Sequence, residues 1–289
     1  MRVLVTGSQG AIGKFVVDLL HQSGFEVRSF DRVASPPSDW EHRVGEIRDG
    51  STVRQAAMGC DALVHLAAVP GDYRSNHDDV FTTNVNGTWN VLQAAKEIGI
   101  GRVVYFSSVQ ALGMGSRDYM PEKLPVDDSS SPRPRPAYGL SKWVCEEMCQ
   151  SFSRHHGIST YCLRPSQVIP PEAYEYFRRM GTRRYTETSR NNCFTYVDSR
   201  DVASAVVCCL RHTGEAHHGR YLLVARDNSI GVPTADLLKE HFPAIPWVGG
   251  PHYLDDRYRA LIDSSAARDD LGWEPAYSWR ETEGEGIRG

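Results

Sequence analysis

The run Thr6-Gly7-Ser8-Gln9-Gly10-Ala11-Ile12-Gly13 constrains this chain more than any other segment. It follows a short β-branched stretch at 2–6 and leads directly into an amphipathic stretch at 11–23. Glycines in that setting permit a tight turn and let backbone approach a pyrophosphate at a helix N-terminus, whose first N–H groups lack intrahelical partners. The alternation continues. Strands are expected at 25–30, 42–47, 61–66, 102–107 and 158–163, and helices at 51–58, 76–98 and 138–155. Helical crossovers of this kind cover both faces of a parallel sheet, so the expected fold is α/β, a doubly wound parallel sheet.

The clean alternation stops after Arg164-Pro165. Residues 166–193 show no clear period; beyond them we expect a strand at 194–197, a helix near 199–211, a strand at 220–224 and helices near 233–241 and 264–271. The proline-rich 129–136 segment must be a loop. The expected division is a dinucleotide-binding (Rossmann) domain at 1–165, with part of 194–224 returning to its sheet, and a small C-terminal substrate-binding cap from 166–193 and 225–289. With 289 residues in all, little chain remains for that cap. A net charge of -4 supplies no broad positive field for nucleic acid. No apolar run approaches the roughly 20 residues that span a bilayer, and no secretory leader is read at the start. The seven cysteines have no metal or redox spacing and are expected as reduced thiols in a cytoplasmic protein.

Asp31 ends the second strand, close to the roughly 20-residue spacing at which a carboxylate takes adenosine ribose hydroxyls. A carboxylate there repels a 2′-phosphate and favours NAD over NADP, although Arg32 and Lys14 could meet a phosphate. The expected contacts of the turn itself are Gly7, Gln9, Gly10, Ala11, Ile12 and Gly13. Tyr138 and Lys142 lie one helical turn apart on one face. An ammonium there is expected to lower the phenol's pKa and suit it to proton exchange with a substrate hydroxyl. The pair follows the fifth strand, which ends in Ser107-Ser108, and ligands of open α/β sheets bind beyond such ends.

At this point the sequence resembles the NAD-dependent epimerase/dehydratase family of extended short-chain dehydrogenases/reductases. Besides the glycine turn, the matching points are Asp49 in Glu-Ile-Arg-Asp, His65-Leu66-Ala67-Ala68, Asn84-Val85-Asn86-Gly87-Thr88, Phe106-Ser107-Ser108, Tyr138 to Lys142, Leu163-Arg164-Pro165, 194–197 with Asp201-Val202-Ala203, and Leu271-Gly272-Trp273-Glu274-Pro275. The resemblance implies that Tyr138 is the catalytic acid or base, that Lys142 holds the nicotinamide ribose and tunes Tyr138, and that Ser108 orients the substrate oxygen. Ser108 is preferred to Ser107 because the family's reactive hydroxyl lies five residues before a glycine, here Gly113. The matching also puts Asp49 and Ile47 or Arg48 near the adenine, and Leu66, Ala67, Ala68 and Pro165 around the cofactor. Asn84 would support Lys142 or the cofactor. Gln110 joins Ser108 and Tyr138 as a substrate contact, and a homodimer through the 76–98 and 138–155 helices is implied.

The departures from the family narrow the reaction. Val109-Gln110 stand where dehydratases place an acid, and Asn192-Cys193 where sugar-nucleotide enzymes carry Arg-Asp. Arg190, with Arg257 or Arg259 as a second clamp, is the candidate replacement for a diphosphate clamp. The expected activity is reversible hydride transfer at a carbinol carbon, of UDP-sugar 4-epimerase type. The alternatives are an NAD-dependent dehydrogenase of a free sugar, uronate or related hydroxy compound, and a non-catalytic NAD(P)-binding regulator. The His155-His156 and His217-His218 pairs read as surface features and no metal is expected. The arginines at 178, 179, 183 and 184 suit a solvated cap surface as well as an anionic substrate. Trp247, Tyr253, Tyr258 and Trp273 read as cap core.

Overall fold

A computed structural model describes residues 1–70, 76–181, 187–214 and 218–281. Arg183, Arg184 and His217 therefore lie outside the described residues. The strands are β1 (Arg2–Thr6), β2 (Glu26–Asp31), β3 (Glu41–Val44), β4 (Ala62–His65), β5 (Arg102–Phe106), β6 (Ser159–Pro165), β7 (Gln167–Ile169), β8 (Tyr196–Asp198) and β9 (His218–Leu223). The helices are α1 (Ala11–Gln22), α2 (Gly50–Ala57), α3 (His77–Ile98), α4 (Tyr138–His156), α5 (Tyr174–Met180), α6 (Glu187–Asn191), α7 (Ser199–Arg211), α8 (Thr234–His241), α9 (His252–Asp255) and α10 (Ser265–Leu271).

Seven strands form one parallel sheet in the order β3-β2-β1-β4-β5-β6-β9. Strand alternation sends Val3, Val5, Ala62 and Val64 into the core under α1 and α7, and Leu4 and Leu63 into the opposite core under α2, α3 and α4. Burial on both faces explains why these strands read as continuous apolar runs. The register places Thr6 opposite both Phe30 and His65, and Phe106 opposite Leu163, so the C-terminal strand ends share one rim.

The helices start and stop where their sequences dictate. Asp49 caps α2 by accepting from Ser51 N and Thr52 N, and Asn76 caps α3 by accepting from Asp78 N at 2.8 Å. The left-handed Gly99 and Gly157 end α3 and α4.

Three expectations need correction. The third strand stops at Val44 rather than 47, because the chain turns at Gly45, whose N–H donates to Asp31 O at 2.9 Å. The 194–197 strand does not join the main sheet. It becomes β8, displaced by two residues, and pairs with β7 in a separate two-stranded parallel sheet, while β9 closes the main sheet beyond β6. Trp273 is not cap core: it packs into the main core, and its indole N–H donates to Asp201 O at 2.9 Å on the first turn of α7. The region without a clear period holds β7, α5 and α6, elements too short to show a sequence period.

Candidate active site

Two of the three glycines in the turn are sterically required. Gly7 has φ +73°, and a Cβ there would lie 2.6 Å from Ala67 N. A Cβ on Gly13 would lie 2.2 Å from Gly7 O, so the first turn of α1 packs directly on the loop. Gly10 is the N-cap, and no side chain caps α1, which leaves its first N–H groups facing the cleft for an anion. The Asp31 carboxylate accepts from Gln9 N at 2.9 Å and Val33 N at 3.1 Å, tying the turn to the end of β2.

Three cavities run in series along the rim. The first, about 350 Å³, is lined by Gly7, Gln9, Gly10, Asp31, Arg32, Ile47, Arg48, Leu66, Ala67 and Ala68 among others. The second, about 450 Å³, shares Gly7, Gly10, Leu66, Ala68 and Pro70 with it, and adds Ala11, Ile12, Gly13, Phe106, Ser108, Gln110, Tyr138, Lys142 and Pro165. The third, about 640 Å³, shares Gln110 and Tyr138 with the second and extends to Ser116, Arg117, Asp118, Arg135 and Asn192. A glycine cradle that any Cβ would fill, an uncapped helix end and a carboxylate at the next strand end together fit a dinucleotide.

Ser107 and Ser108 point to opposite sides. Ser107 donates to Glu146 Oε1 inside the core. Ser108 accepts from Gln110 N at 3.2 Å, and its hydroxyl acts on the nearby Tyr138 phenol. Lys142 Nζ donates to Phe106 O at 2.7 Å and lies 5.4 Å from the Tyr138 ring centre. Here the expected electrostatics are reversed. Burial pushes the Tyr138 phenol up to about 12, against the opposing influence of the Ser108 hydroxyl, and pulls the Lys142 ammonium down to about 8. The ammonium is spent on a carbonyl, and desolvation sets the phenol.

Asn84 lies behind the site. Its amide donates to Ser141 Oγ at 3.0 Å and Val69 O at 3.2 Å and accepts from Val69 N at 2.8 Å, joining α3, α4 and the loop after β4. Asp49 does not line the first cavity: Ser51 and Thr52 hold its carboxylate as the α2 cap and lower it to about 2. Arg190 and Arg257 also stay away. Arg190 points at the Met120 sulfur, and exposed Arg257 lies against the Tyr258 ring. Neither lines any of the three cavities.

Sequence reasoning missed Glu146. It is fully buried one turn beyond Lys142, and accepts from Arg164 Nε at 2.9 Å, Arg164 Nη2 at 2.7 Å and the Ser107 hydroxyl. A carboxylate four residues after Lys142, with an arginine in the apolar β6, was the available signal. The pair ties α4 to β6, and Ser107 ties both to β5 beside Ser108.

The family model described as "NAD dependent epimerase/dehydratase family" matches residues 3–225. The chain belongs to the NAD-dependent epimerase/dehydratase family. Among relatives, it is 35% identical over 193 residues to a 3-beta-hydroxysteroid dehydrogenase of Mycolicibacterium neoaurum, covering 62% of this chain and 50% of that protein. It is 27% identical to a uronate dehydrogenase of Pseudomonas syringae pv. tomato, covering 58% of this chain and 60% of that one. The chain thus spans about half to three fifths of the length of these curated relatives. A short-chain dehydrogenase/reductase superfamily protein from Agrobacterium tumefaciens, solved with bound NAD, shares the fold at TM-score 0.72 and 24% identity, covering 96% of this chain and 94% of that one. MoeE5, in complex with UDP-glucuronic acid and NAD, shares it at TM-score 0.71 and 22% identity, covering 97% and 96%. Among the described residues no helix is long and apolar enough to cross a membrane, and no His, Cys, Asp or Glu group could hold a metal ion.

The buried Glu146 pair predicts a specific stability pattern. Glu146→Ala leaves the Arg164 guanidinium buried without its main partner and should cost about 3–5 kcal/mol by urea denaturation. The double variant Glu146→Leu, Arg164→Met should cost clearly less than Glu146→Ala alone. Equal losses would show that the pair does not act as a unit.

Proposed function

We propose that this chain is an NAD-dependent dehydrogenase acting at a carbinol carbon of a small polar carbohydrate, with a free sugar or uronate as the substrate class. The observation that carries the reading is the convergence of Ser108, Tyr138 and Lys142 on a cavity continuous with the glycine cradle. When bound, NAD supplies the hydride acceptor along that wall, held by the glycine turn, Asp31 and Lys142. Ser108 and Tyr138 bind the substrate oxygen, and Tyr138 carries its proton.

Dehydrogenation is preferred to UDP-sugar 4-epimerisation because Arg190 and Arg257, the candidate diphosphate clamp, are engaged away from the cleft. The third cavity is lined by Gln110, Ser116, Arg117, Asp118, Arg135 and Asn192 beside Val80, Met114, Pro136 and Ala137, and its polar groups can take hydroxyls or a carboxylate. We further infer that segments 166–181 and 225–263 serve as the substrate cap, α10 and Trp273 packing on the main core instead, and that seven free thiols suit a reducing, cytoplasmic setting. Pairing through α3 and α4 would cover Trp89, which is 46% exposed and packs edge-on against Phe152. If so, the wild type sediments as a dimer and Trp89→Glu as a monomer.

The protonation states give a pH test. As a base in oxidation, Tyr138 must be a phenolate, whose fraction rises tenfold per pH unit below about 12; Lys142 keeps its stabilising charge only below about 8. Oxidation followed as NADH absorbance should therefore rise steeply to about pH 8 and then level. Reduction, which needs phenol and ammonium together, should be flat below pH 8 and fall above it. Tyr138→Phe should lose 10²- to 10⁴-fold in turnover while still binding NAD. Isomerised UDP-sugar without net NADH would instead establish an epimerase, and turnover unchanged in Tyr138→Phe would refute the assigned proton carrier.

A further inference from the structure

A second carboxylate meets the buried Glu146–Arg164 pair. Glu146 takes Nε and Nη2 of Arg164, and the remaining nitrogen, Nη1, faces Asp128 Oδ1 at 3.7 Å. The Asp128 carboxyl also accepts from Leu222 N at 3.1 and 3.3 Å, on β9 at the edge of the main sheet. An edge strand leaves such donors without a sheet partner, and here a side chain supplies one.

The segment that carries Asp128 is shared between two parts of the molecule. Leu124 N donates to Pro246 O at 2.9 Å and Val248 N to Leu124 O at 2.7 Å; Val126 N donates to Leu261 O at 3.0 Å and Asp263 N to Val126 O at 2.7 Å. Residues 124–126 are thus paired with the 225–263 segment, and two residues later Asp128 roots them in the main sheet. From there the chain runs on to Arg135, Pro136 and Ala137, which wall the third cavity, and then to Tyr138. That wall hangs between Asp128 and α4, two points joined through Arg164 and Glu146.

We propose that Asp128 is a positioning residue, which anchors the substrate cap to the sheet and holds the cavity wall in place beside Tyr138. Its effect on the sugar rests on the substrate reading above; the anchoring itself does not. Charge gives the anchor a distinguishing mark. Asp128 faces Arg164 from β6, Glu146 from α4 and Asp127 on its own segment, while Arg220 of β9 pairs with Glu146 and Glu147. Burial outweighs the attraction of Arg164 and of the Leu222 N–H and holds the carboxyl up to about 7, above its ordinary 3.8. The anchored carboxyl therefore keeps its proton better than a released one. The anchor is strongest below about pH 4, weakens as pH rises and levels above about pH 7.

The test is hydrogen–deuterium exchange of the full chain, corrected for intrinsic rates, at about pH 5 and about pH 7 in wild type, Asp128→Asn and Asp128→Ala. Wild-type amides of 124–128 and β9 should exchange at least about tenfold faster at the higher pH. Asp128→Asn still accepts from Leu222 N and carries no charge, so its amides should be equally protected at both; those of Asp128→Ala should be protected at neither. Amides of β1 should not change, which reports an intact fold. With glucuronate as the probe, Asp128→Ala should raise KM about tenfold, with NAD affinity within twofold of wild type and KM restored in Asp128→Asn. Exchange that is independent of pH in wild type, or equal in all three proteins, overturns the anchor. Altered exchange with an unchanged KM overturns the positioning role, as does an equal loss of NAD affinity. Glucuronate left unoxidised by the wild type counts against the substrate reading, and the exchange still decides the anchor.

Discussion

The buried ion pair between Glu146 and Arg164 is the constraint on which the rest of the site depends. A carboxylate and a guanidinium taken out of water are tolerated only when each is closely paired. Glu146 meets that demand with two hydrogen bonds from Arg164 and one from Ser107. The pairing fixes the rotation of α4 against the ends of β5 and β6. Once α4 is fixed, Tyr138 and Lys142 must project over the strand ends, and once Ser107 is committed inward, Ser108 must project outward.

Burial then decides the chemistry of the groups so placed. The phenol is held protonated and the ammonium is weakened, both chiefly by desolvation. His65, in the same layer, is held neutral, lowered to about 3 by burial and by the nearby Lys142 charge; its ring nitrogens pair with Thr6 and Thr88. It serves packing at the end of β4. The resting arrangement therefore favours proton donation, and the oxidative direction must work against desolvation.

Much of this architecture was legible in the sequence because the glycine turn and the strand-helix alternation are local signals. Gly7 and Gly13 could be read without coordinates, since only glycine fits positions where a Cβ would collide with backbone. Asp49 was misread because an Asp at a strand-to-helix junction serves equally as ligand contact or helix cap, and here Ser51 and Thr52 follow it. Arg190 and Arg257 were misplaced because their direction depends on short elements in the C-terminal half, set by tertiary contacts such as Phe177 and Tyr196 against Trp279. Glu146 escaped notice for a related reason: it gains meaning from Arg164, 18 residues away in the chain.

The central claim is that hydride moves between a carbohydrate carbinol carbon and NAD at this rim. The most direct measurement uses a uronate deuterated at its oxidisable carbon, incubated with the chain and NAD, with the label followed by mass spectrometry. The account predicts that deuterium appears in the reduced cofactor in step with oxidised product. Product whose label has gone to water, or label kept in an isomerised sugar with no reduced cofactor, would contradict it.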